Sequence, residues 1–334
     1  MKRDTRLQAL RRWLADQGVA DGPLTPVSSD ASFRRYFRVP VAGQDRIAMD
    51  APPEHEDVAA FVHVAGLMRG AGLNVPEILA RDPDNGFLLL SDLGRRTYLD
   101  VLDDDNADAL MQAALEALVQ WQAATRRGEL AAYDAAVLQR ELQLFPDWYL
   151  ARHLGVEPTA GEREAMEGVF RRLVDRALAQ ERVWVHRDYM PRNLMPGSPS
   201  PGILDFQDAL EGPVSYDVIC LLRDAFISWP RETEWRWLRS YHAAARDAGV
   251  PVPAHVETFW SDCTWMGVQR HLKVLGIFAR IRYRDGKPRY LEDAPRFRAY
   301  LERAAEDEPG LGRLAELVED WHARSRVPSP AGGA

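Results

Sequence analysis

Residues 183–194 read VWVHRDYMPRNL. An apolar run ends in His186, Arg187 and Asp188, and Asn193 closes the stretch behind Pro191 and Arg192. A second apolar run then ends in an acid, Ile203-Leu204-Asp205-Phe206-Gln207. A carboxylate placed after a buried strand can accept or orient the proton of an attacking hydroxyl, which suits Asp188. A carboxamide and a second carboxylate supply the hard oxygens that Mg²⁺ takes, which suits Asn193 and Asp205. Such a set fits phosphoryl transfer, where a protein positions groups and neutralises charge rather than forming covalent bonds. The two short strands are expected to form a hairpin that gathers the three oxygens around one point. A polar pair after a strand is common, so the weight lies on the whole order H-x-D-x-x-x-x-N, strand, D-F. His186 by itself reads as a residue that hydrogen-bonds the loop backbone, and Arg187 as a loop brace or an exposed charge.

The elements that must position this loop fall into two groups. Residues 4–17 put Leu7, Leu10, Trp13 and Leu14 on one helical face, and Gly18 stops the helix. Residues 33–39 and 46–49 read as a hairpin around an Ala-Gly-Gln-Asp turn, EHEDVAAFVHVAGLMRGAG as a helix, and VPEILARDPDNGFLLLSDLG as two strands around Asp-Asn-Gly. Beyond about Leu93 the pattern turns helical, with helices expected at 107–126, 139–153, 161–180, 215–229, 231–248 and 255–283. VWVH and GILDF interrupt them. The final VPSPAGGA has the composition of a disordered tail.

The chain has 334 residues, enough for a large core and two lobes, and a formal net charge of −8. That charge argues against a nucleic-acid or anionic-membrane surface but leaves nucleotide binding open, because local cations and Mg²⁺ handle phosphate. Cys220 and Cys263 are the only cysteines, which gives neither a disulfide framework nor zinc-ligand spacing. No apolar stretch is long enough for a signal peptide or a membrane span, so a soluble cytoplasmic protein is expected.

With these motifs in place, the chain resembles the aminoglycoside-phosphotransferase-like branch of the protein-kinase superfamily, which also holds choline, homoserine and sugar kinases. The order of motifs covers about Leu24 to Tyr290. SSDASFRRYFRV, MDAPPE, FLLLSDLG, VHRDYMPRNLM, GILDFQDALEGPVSYDVICLLRDAFISWP and QRHLKVLGIFARI together resemble the bacterial anomeric kinases of N-acetylmuramate and N-acetylglucosamine. The resemblance implies an α+β, bilobal protein-kinase-like fold, with a small β-rich N-terminal lobe carrying one packed helix and a larger, mainly helical C-terminal lobe. It implies a nucleotide-binding lobe over 1–91, a catalytic and substrate lobe over 92–326, and a tail over 327–334. It also implies ATP and Mg²⁺ as cofactors, Asp188 as the catalytic aspartate, Asn193 and Asp205 as metal ligands, and a role in peptidoglycan recycling. Backbone groups near Ser91 and Leu93, at the Asp92-Leu93-Gly94 hinge, would bind the adenine edge, and Asp217 would hold the backbone of the catalytic loop.

Three departures from the kinase pattern narrow the reading. The phosphate-covering turn is Ser28-Ser29-Asp30-Ala31-Ser32, without glycine, so Ser29 and Ser32 would contribute backbone N–H groups and hydroxyls. The strand that should end in lysine reads Arg46-Ile47-Ala48-Met49-Asp50, and the only lysines are Lys2, Lys273 and Lys287. A triphosphate in a cleft still needs a cation. Period two puts Arg34, Tyr36 and Arg38 on one face and Arg35, Phe37 and Val39 on the other. With Tyr36 covering the adenine, Arg34 is expected to replace the lysine. Met190 stands where protein kinases carry a lysine, and no A-P-E segment follows, so a small polar acceptor is expected.

For that acceptor, Gln207 and Asp208 at the mouth of the cleft, and Arg223, Asp224 and Arg270 on later helices, are the candidate contacts. Each of the arginines also reads as an ordinary interhelical ion-pair residue. Two other readings stay open at this point. An antibiotic-modifying phosphotransferase would suit the acidic balance, although the C-terminal region is mixed in sign. A nucleotide-binding pseudokinase would suit the missing lysine and glycines, but not the intact Asp188, Asn193 and Asp205.

Overall fold

The computed structural model describes residues 4–19, 22–27 and 33–325. Among them the chain divides into two compact units, one of residues 1–117 with 191–209, the other of residues 118–190 with 210–334.

The first unit is built on a five-stranded antiparallel sheet. Its strands are β1 (Thr25–Pro26), β2 (Arg35–Val41), β3 (Gln44–Asp50), β4 (Ile78–Asp82) and β5 (Phe87–Ser91), in the order β1-β2-β3-β5-β4. The β2–β3 turn is only Ala42-Gly43, both at positive φ, as a two-residue hairpin requires. At the β4–β5 turn Gly86 has φ +72°, and a Cβ there would lie 1.8 Å from the Ala51 carbonyl oxygen, so only glycine fits. Helix α1 (Thr5–Asp16) is capped by the Asp4 carboxylate, which accepts from Leu7 N–H. Its Leu10, Trp13 and Leu14 pack with Phe37, Val39, Ala48, Phe87 and Leu89 of the sheet. Helix α2 (Val58–Gly70) sets the Phe61 ring 4.8 Å from that of Phe206. The unit of the sheet therefore holds both helices read from the sequence in this part of the chain. Helix α3 (Tyr98–Val101) and the start of α4 (Ala107–Ala123) complete the contiguous part of the unit.

Residues 191–209 return to this unit as a small hairpin, β7 (Leu194–Met195) paired with β8 (Gly202–Ile203). Asn74 fastens it: its carbonyl accepts from Ile203 N–H at 2.7 Å, and its side chain donates to the Pro199 carbonyl. This is why the compact unit that holds the sheet extends past residue 91.

The second unit is mainly helical: α5 (Ala135–Leu142), α6 (Ala160–Leu178), α7 (Tyr216–Leu222), α8 (Arg231–Asp247), α9 (Val256–Asp285), α10 (Ala294–Asp307) and α11 (Gly312–Ala323). The helix expected over 139–153 is two pieces. Helix α5 ends at Leu142, and a π-helical segment runs Phe145–Leu154 with Pro146 in its first turn, which has no N–H for the α ladder. The helix expected over 215–229 stops at Leu222, because the Asp224 carboxylate accepts from Phe226 and Ile227 N–H and turns the chain. Strand β6 (Arg182–Val185) pairs with β9 (Leu210–Pro213), not with the GILDF strand. The single hairpin expected from the sequence is thus two two-stranded pairs, one in each unit.

Candidate active site

In the first unit, the β7–β8 pairing sets the register of the candidate metal ligands. Leu194 faces Ile203, and Leu204 N–H donates to the Asn193 carbonyl at 2.9 Å, so Asn193 and Asp205 flank the open end of one hairpin. Asp205 has φ +59°, a left-handed conformation that costs a non-glycine residue energy and marks functional turns. Its side chain is 46% exposed. Gln207 is buried, and its amide donates to Asp205 Oδ1 at 2.9 Å and to Asp208 Oδ2 at 3.2 Å, so it links the two carboxylates.

Arg34 meets the same carboxylates. Its guanidinium lies 3.6 Å from Asp205, 3.9 Å from Asp208 and 3.5 Å from Glu56. Arg35 turns to the other side of β2, where it binds the fully buried Asp50 at 2.5 Å and also Asp4, while Arg6 holds Asp50 from α1. Tyr36 is half-buried and stands opposite Met49 in the sheet. Ser29 and Ser32 lie outside the described residues.

At the end of β5, Ser91 Oγ accepts from Glu77 N–H, and Leu93 packs close to Gly202 of β8. Asp92 is bound by Arg38, which also donates to the Gly94 carbonyl. Burial alone would raise the Asp92 carboxyl, but the Arg38 hydrogen bonds hold it below the ordinary carboxylate range. The pattern of the sequence hides the Arg38–Asp92 and Arg34–Glu56 pairs. Their only trace is a basic residue on the same strand face as Tyr36.

The second unit carries the other half of the motif. His186 is buried at the end of β6, and Arg187 has φ +76°. The Asp217 carboxylate, at the start of α7, accepts from His186 N–H at 2.6 Å and from Arg187 N–H at 2.9 Å. Those two bonds hold the left-handed turn from which Asp188 projects. Burial pushes the Asp217 carboxyl up to about 6, against the opposing pull of His186 and the two N–H donors. The His186 ring stays in the loop, with Nδ1 accepting from Asp188 N–H at 3.3 Å and its edge against Tyr189.

Arg223, expected to line an acceptor site, lies among ion-pair partners. Arg223 is 1% exposed, bonds Glu234 at 3.2 Å, approaches Asp307 at 3.8 Å and lies over the Trp260 ring. It braces α7 against α8 and α10. Arg270 is equally buried and donates to the Arg223 carbonyl, and Asp224 caps the turn after α7. Arg270 Nη2 and Asp224 Oδ2 have no hydrogen-bond partner among the described residues. Glu141, Gln269 and Lys273, which the sequence reading passes over, converge behind Arg187. A lysine inside the apolar run HLKVLGIFARI was their one visible signal.

A two-unit chain with a β-sheet nucleotide-type half, an Asp217-braced HRD loop and an Asn/Asp hairpin defines the class of kinase-like phosphotransferases. The chain is similar to a choline kinase from Cryptosporidium parvum, with a TM-score of 0.64 at 10% identity, over 93% of this chain and 99% of that one. It is 56% identical over 329 residues to the N-acetylmuramate/N-acetylglucosamine kinase of Pseudomonas aeruginosa, covering 95% of this chain and 97% of that protein. It is 49% identical to the protein of the same name from Pseudomonas putida, covering 97% and 99%. The phosphotransferase enzyme family model matches residues 23–256, and the chain belongs to that family. Among the described residues no helix is long and apolar enough to cross a membrane.

Proposed function

We propose that this chain is a sugar 1-kinase of peptidoglycan recycling. In this reading it transfers the γ-phosphoryl group of ATP to the anomeric C1 hydroxyl of N-acetylmuramate or N-acetylglucosamine. The observation that carries the reading is the Asp217 carboxylate accepting from His186 and Arg187 N–H, since it fixes the loop that presents Asp188. The acceptor is taken from the names of the Pseudomonas relatives.

Asp188 accepts or orients the proton of the attacking hydroxyl. An anomeric hydroxyl is more acidic than other sugar hydroxyls, so placement of Asp188 matters more than its basicity. Arg34 supplies the cation that the strand lysine supplies elsewhere, and its 3.6 Å approach to Asp205 supports that over Arg35. Tyr36 covers the adenine, backbone groups at Ser91 and Leu93 bind its edge, and Ser29 and Ser32 cover the phosphates. The nucleotide lobe is residues 1–91 and the catalytic lobe 92–326.

The donor set fits Mg²⁺, because one hairpin brings together a carboxamide residue and a half-exposed carboxylate, both hard oxygen donors. Asn193 and Asp205 would hold the ion. Bound there, it would neutralise charge on the phosphates. Gln207, Asp208, Arg223, Asp224 and Arg270 are the acceptor contacts in this reading, with buried atoms lacking a hydrogen-bond partner among the described residues on all but Asp208.

The test offers ATP·Mg²⁺ with N-acetylmuramate, N-acetylglucosamine, glucose, choline and kanamycin, and follows ADP release and the phosphorylated product. Turnover confined to the N-acetyl sugars, and lost in Asp188→Asn, is expected. Turnover on kanamycin alone, or nucleotide binding without turnover on any acceptor, would overturn the reading.

A further inference from the structure

Helix α7 joins two places in the helical unit. At its start the Asp217 carboxylate holds the turn that presents Asp188, and Cys220 Sγ stands 3.8 Å from the Arg187 carbonyl. At its end the chain turns through Asp224 into residues 225–228. The helix is seven residues long, about 10 Å from one place to the other. Ser228, where the turn ends, lines a cavity of about 340 Å³ with Glu292, Asp293, Arg296, Tyr300 and Arg303. Small-molecule sites begin at about 300 Å³. The Tyr300 hydroxyl stands 3.3 Å from the Asp224 carbonyl and 3.2 Å from that of Ile227, so the cavity shares a wall with the turn that carries Asp224.

The two arginines of this cavity are held differently. Arg303 donates to the buried Glu234 carboxylate at 2.8 and 3.1 Å, so its charge is matched at close range. Arg296 is held by neutral acceptors, the Ser228 hydroxyl and the Phe226 carbonyl. The acid beside it, Asp293, stands at 3.4 Å, and its Nε is buried with no hydrogen-bond partner among the described residues. Glu292, the other acid of the lining, is exposed and screened by water. A guanidinium carries five N–H donors, and a planar fork can serve two carboxylates. Arg296 is therefore aimed by neutral groups, with charge and donors left for a further anion. N-acetylmuramate differs from N-acetylglucosamine by a lactyl ether at O3, which carries a carboxylate outward from the ring and clear of the C1 hydroxyl.

We propose that Arg296 takes the lactyl carboxylate of N-acetylmuramate in this cavity and so sets how strongly the anionic sugar is preferred over the neutral one. This rests on the reading of the chain as a sugar 1-kinase whose acceptor lies between Asp188 and the Asp224 turn. N-acetylglucosamine, without the carboxylate, makes no such contact.

The experiment measures kcat and KM of wild type, Arg296→Met and Arg296→Lys with three acceptors at saturating ATP·Mg²⁺: N-acetylmuramate, its methyl ester and N-acetylglucosamine. Arg296→Met should raise KM for N-acetylmuramate roughly tenfold or more, the scale of a lost charge-assisted hydrogen bond, and change that for N-acetylglucosamine less than about twofold. Arg296→Lys, which keeps the charge, should recover part of the loss. In wild type the methyl ester should bind more weakly than the acid by a similar factor, and in Arg296→Met the two should be alike. Equal shifts for both sugars in Arg296→Met, the mark of a merely structural arginine, would overturn the proposal, as would no shift for either. If Arg296→Met does not fold, the wild-type comparison of acid and ester decides, and equal KM values for the two would overturn it. A wild type that phosphorylates neither sugar would sink the kinase reading instead. Calorimetric titration of wild type with acid and ester would then decide this one: tighter binding of the acid supports it, and equal or absent binding overturns it.

Discussion

Arg34 Nη2 lies 3.6 Å from Asp205 Oδ1, while the next residue along the chain, Arg35, is bound to Asp50 on the opposite side of β2. Two adjacent arginines of one strand thus have different work. Arg34→Ala should raise KM for ATP roughly tenfold or more, the loss of a charge-assisted contact to phosphate, with little change in melting temperature. Arg35→Ala should leave KM for ATP alone and cost roughly 1–3 kcal/mol of stability, because buried Asp50 loses a partner. Steady-state kinetics and denaturant unfolding of both variants check the pair. Equal effects of the two on KM would sink the assignment of Arg34.

Asp217 accepts two backbone N–H groups with its two oxygens. An asparagine keeps the shape but turns an NH₂ donor toward one of the two N–H groups, so Asp217→Asn should leave a buried N–H unmet at roughly 1–3 kcal/mol. The loop that presents Asp188 would loosen, and kcat should fall by more than KM rises. Unfolding curves and kcat against ATP and sugar concentration measure both. Unchanged kcat would remove Asp217 from the account of the loop.

Gly276 lies within α9 for a packing reason. A Cβ there would stand 2.4 Å from the Leu144 carbonyl carbon and 2.5 Å from its oxygen. Backbone cannot yield as a side chain can, so Gly276→Ala should destabilise by roughly 1–3 kcal/mol despite alanine's better helix propensity. A thermal melt that rises or stays level would contradict this close approach.

His153 is pushed down from 6.5 to about 4, chiefly by burial and then by the Arg282 and His322 charges. Between those two values the unfolded chain binds the proton that the folded chain refuses. The contribution of His153 to stability is therefore complete above pH 6.5 and is lost as the pH falls toward 4. His153→Gln, which keeps a partner for the Tyr283 hydroxyl, should show a shallower loss of unfolding free energy over this window than wild type. Urea midpoints at pH 7.5, 5.5 and 4.5 for both proteins compare the slopes, and parallel curves would contradict the burial of the ring.

Much of the fold is legible in residue order. The alternation around Ala42-Gly43 and Asp84-Asn85-Gly86 marks the sheet, and the long apolar periodicities mark α2, α4, α6, α8 and α9. The kinase-like class read from HRD, Asn193 and Asp205 agrees with the family and the relatives. The misreadings have local causes. Helix α7 is shorter than its hydrophobic run because Asp224 turns the chain, and α5 breaks where Pro146 interrupts the ladder. Strand β6 chose β9, since an apolar run of four residues carries no information about its partner. The residues of α11 are read only for their mixed charge, and those of α10 carry no reading as a helix.

The sequence by itself determined the reaction class, because Asp188, Asn193 and Asp205 lie on one loop-and-strand stretch whose spacing states the chemistry. It also shows that the strand segment Arg46-Ile47-Ala48-Met49-Asp50 carries no lysine. Only the tertiary structure shows that Arg34 and Arg35 take different partners, because neighbouring strand residues face opposite ways and nothing local says what each face meets. Only it shows Arg223 paired with Glu234 and close to Asp307, since burial depends on what α8 and α10 bring to it. The meeting of Glu141 with Arg187, Gln269 and Lys273 has the same origin. Charges far apart in the chain are matched when their helices pack, and that match is written in no local motif.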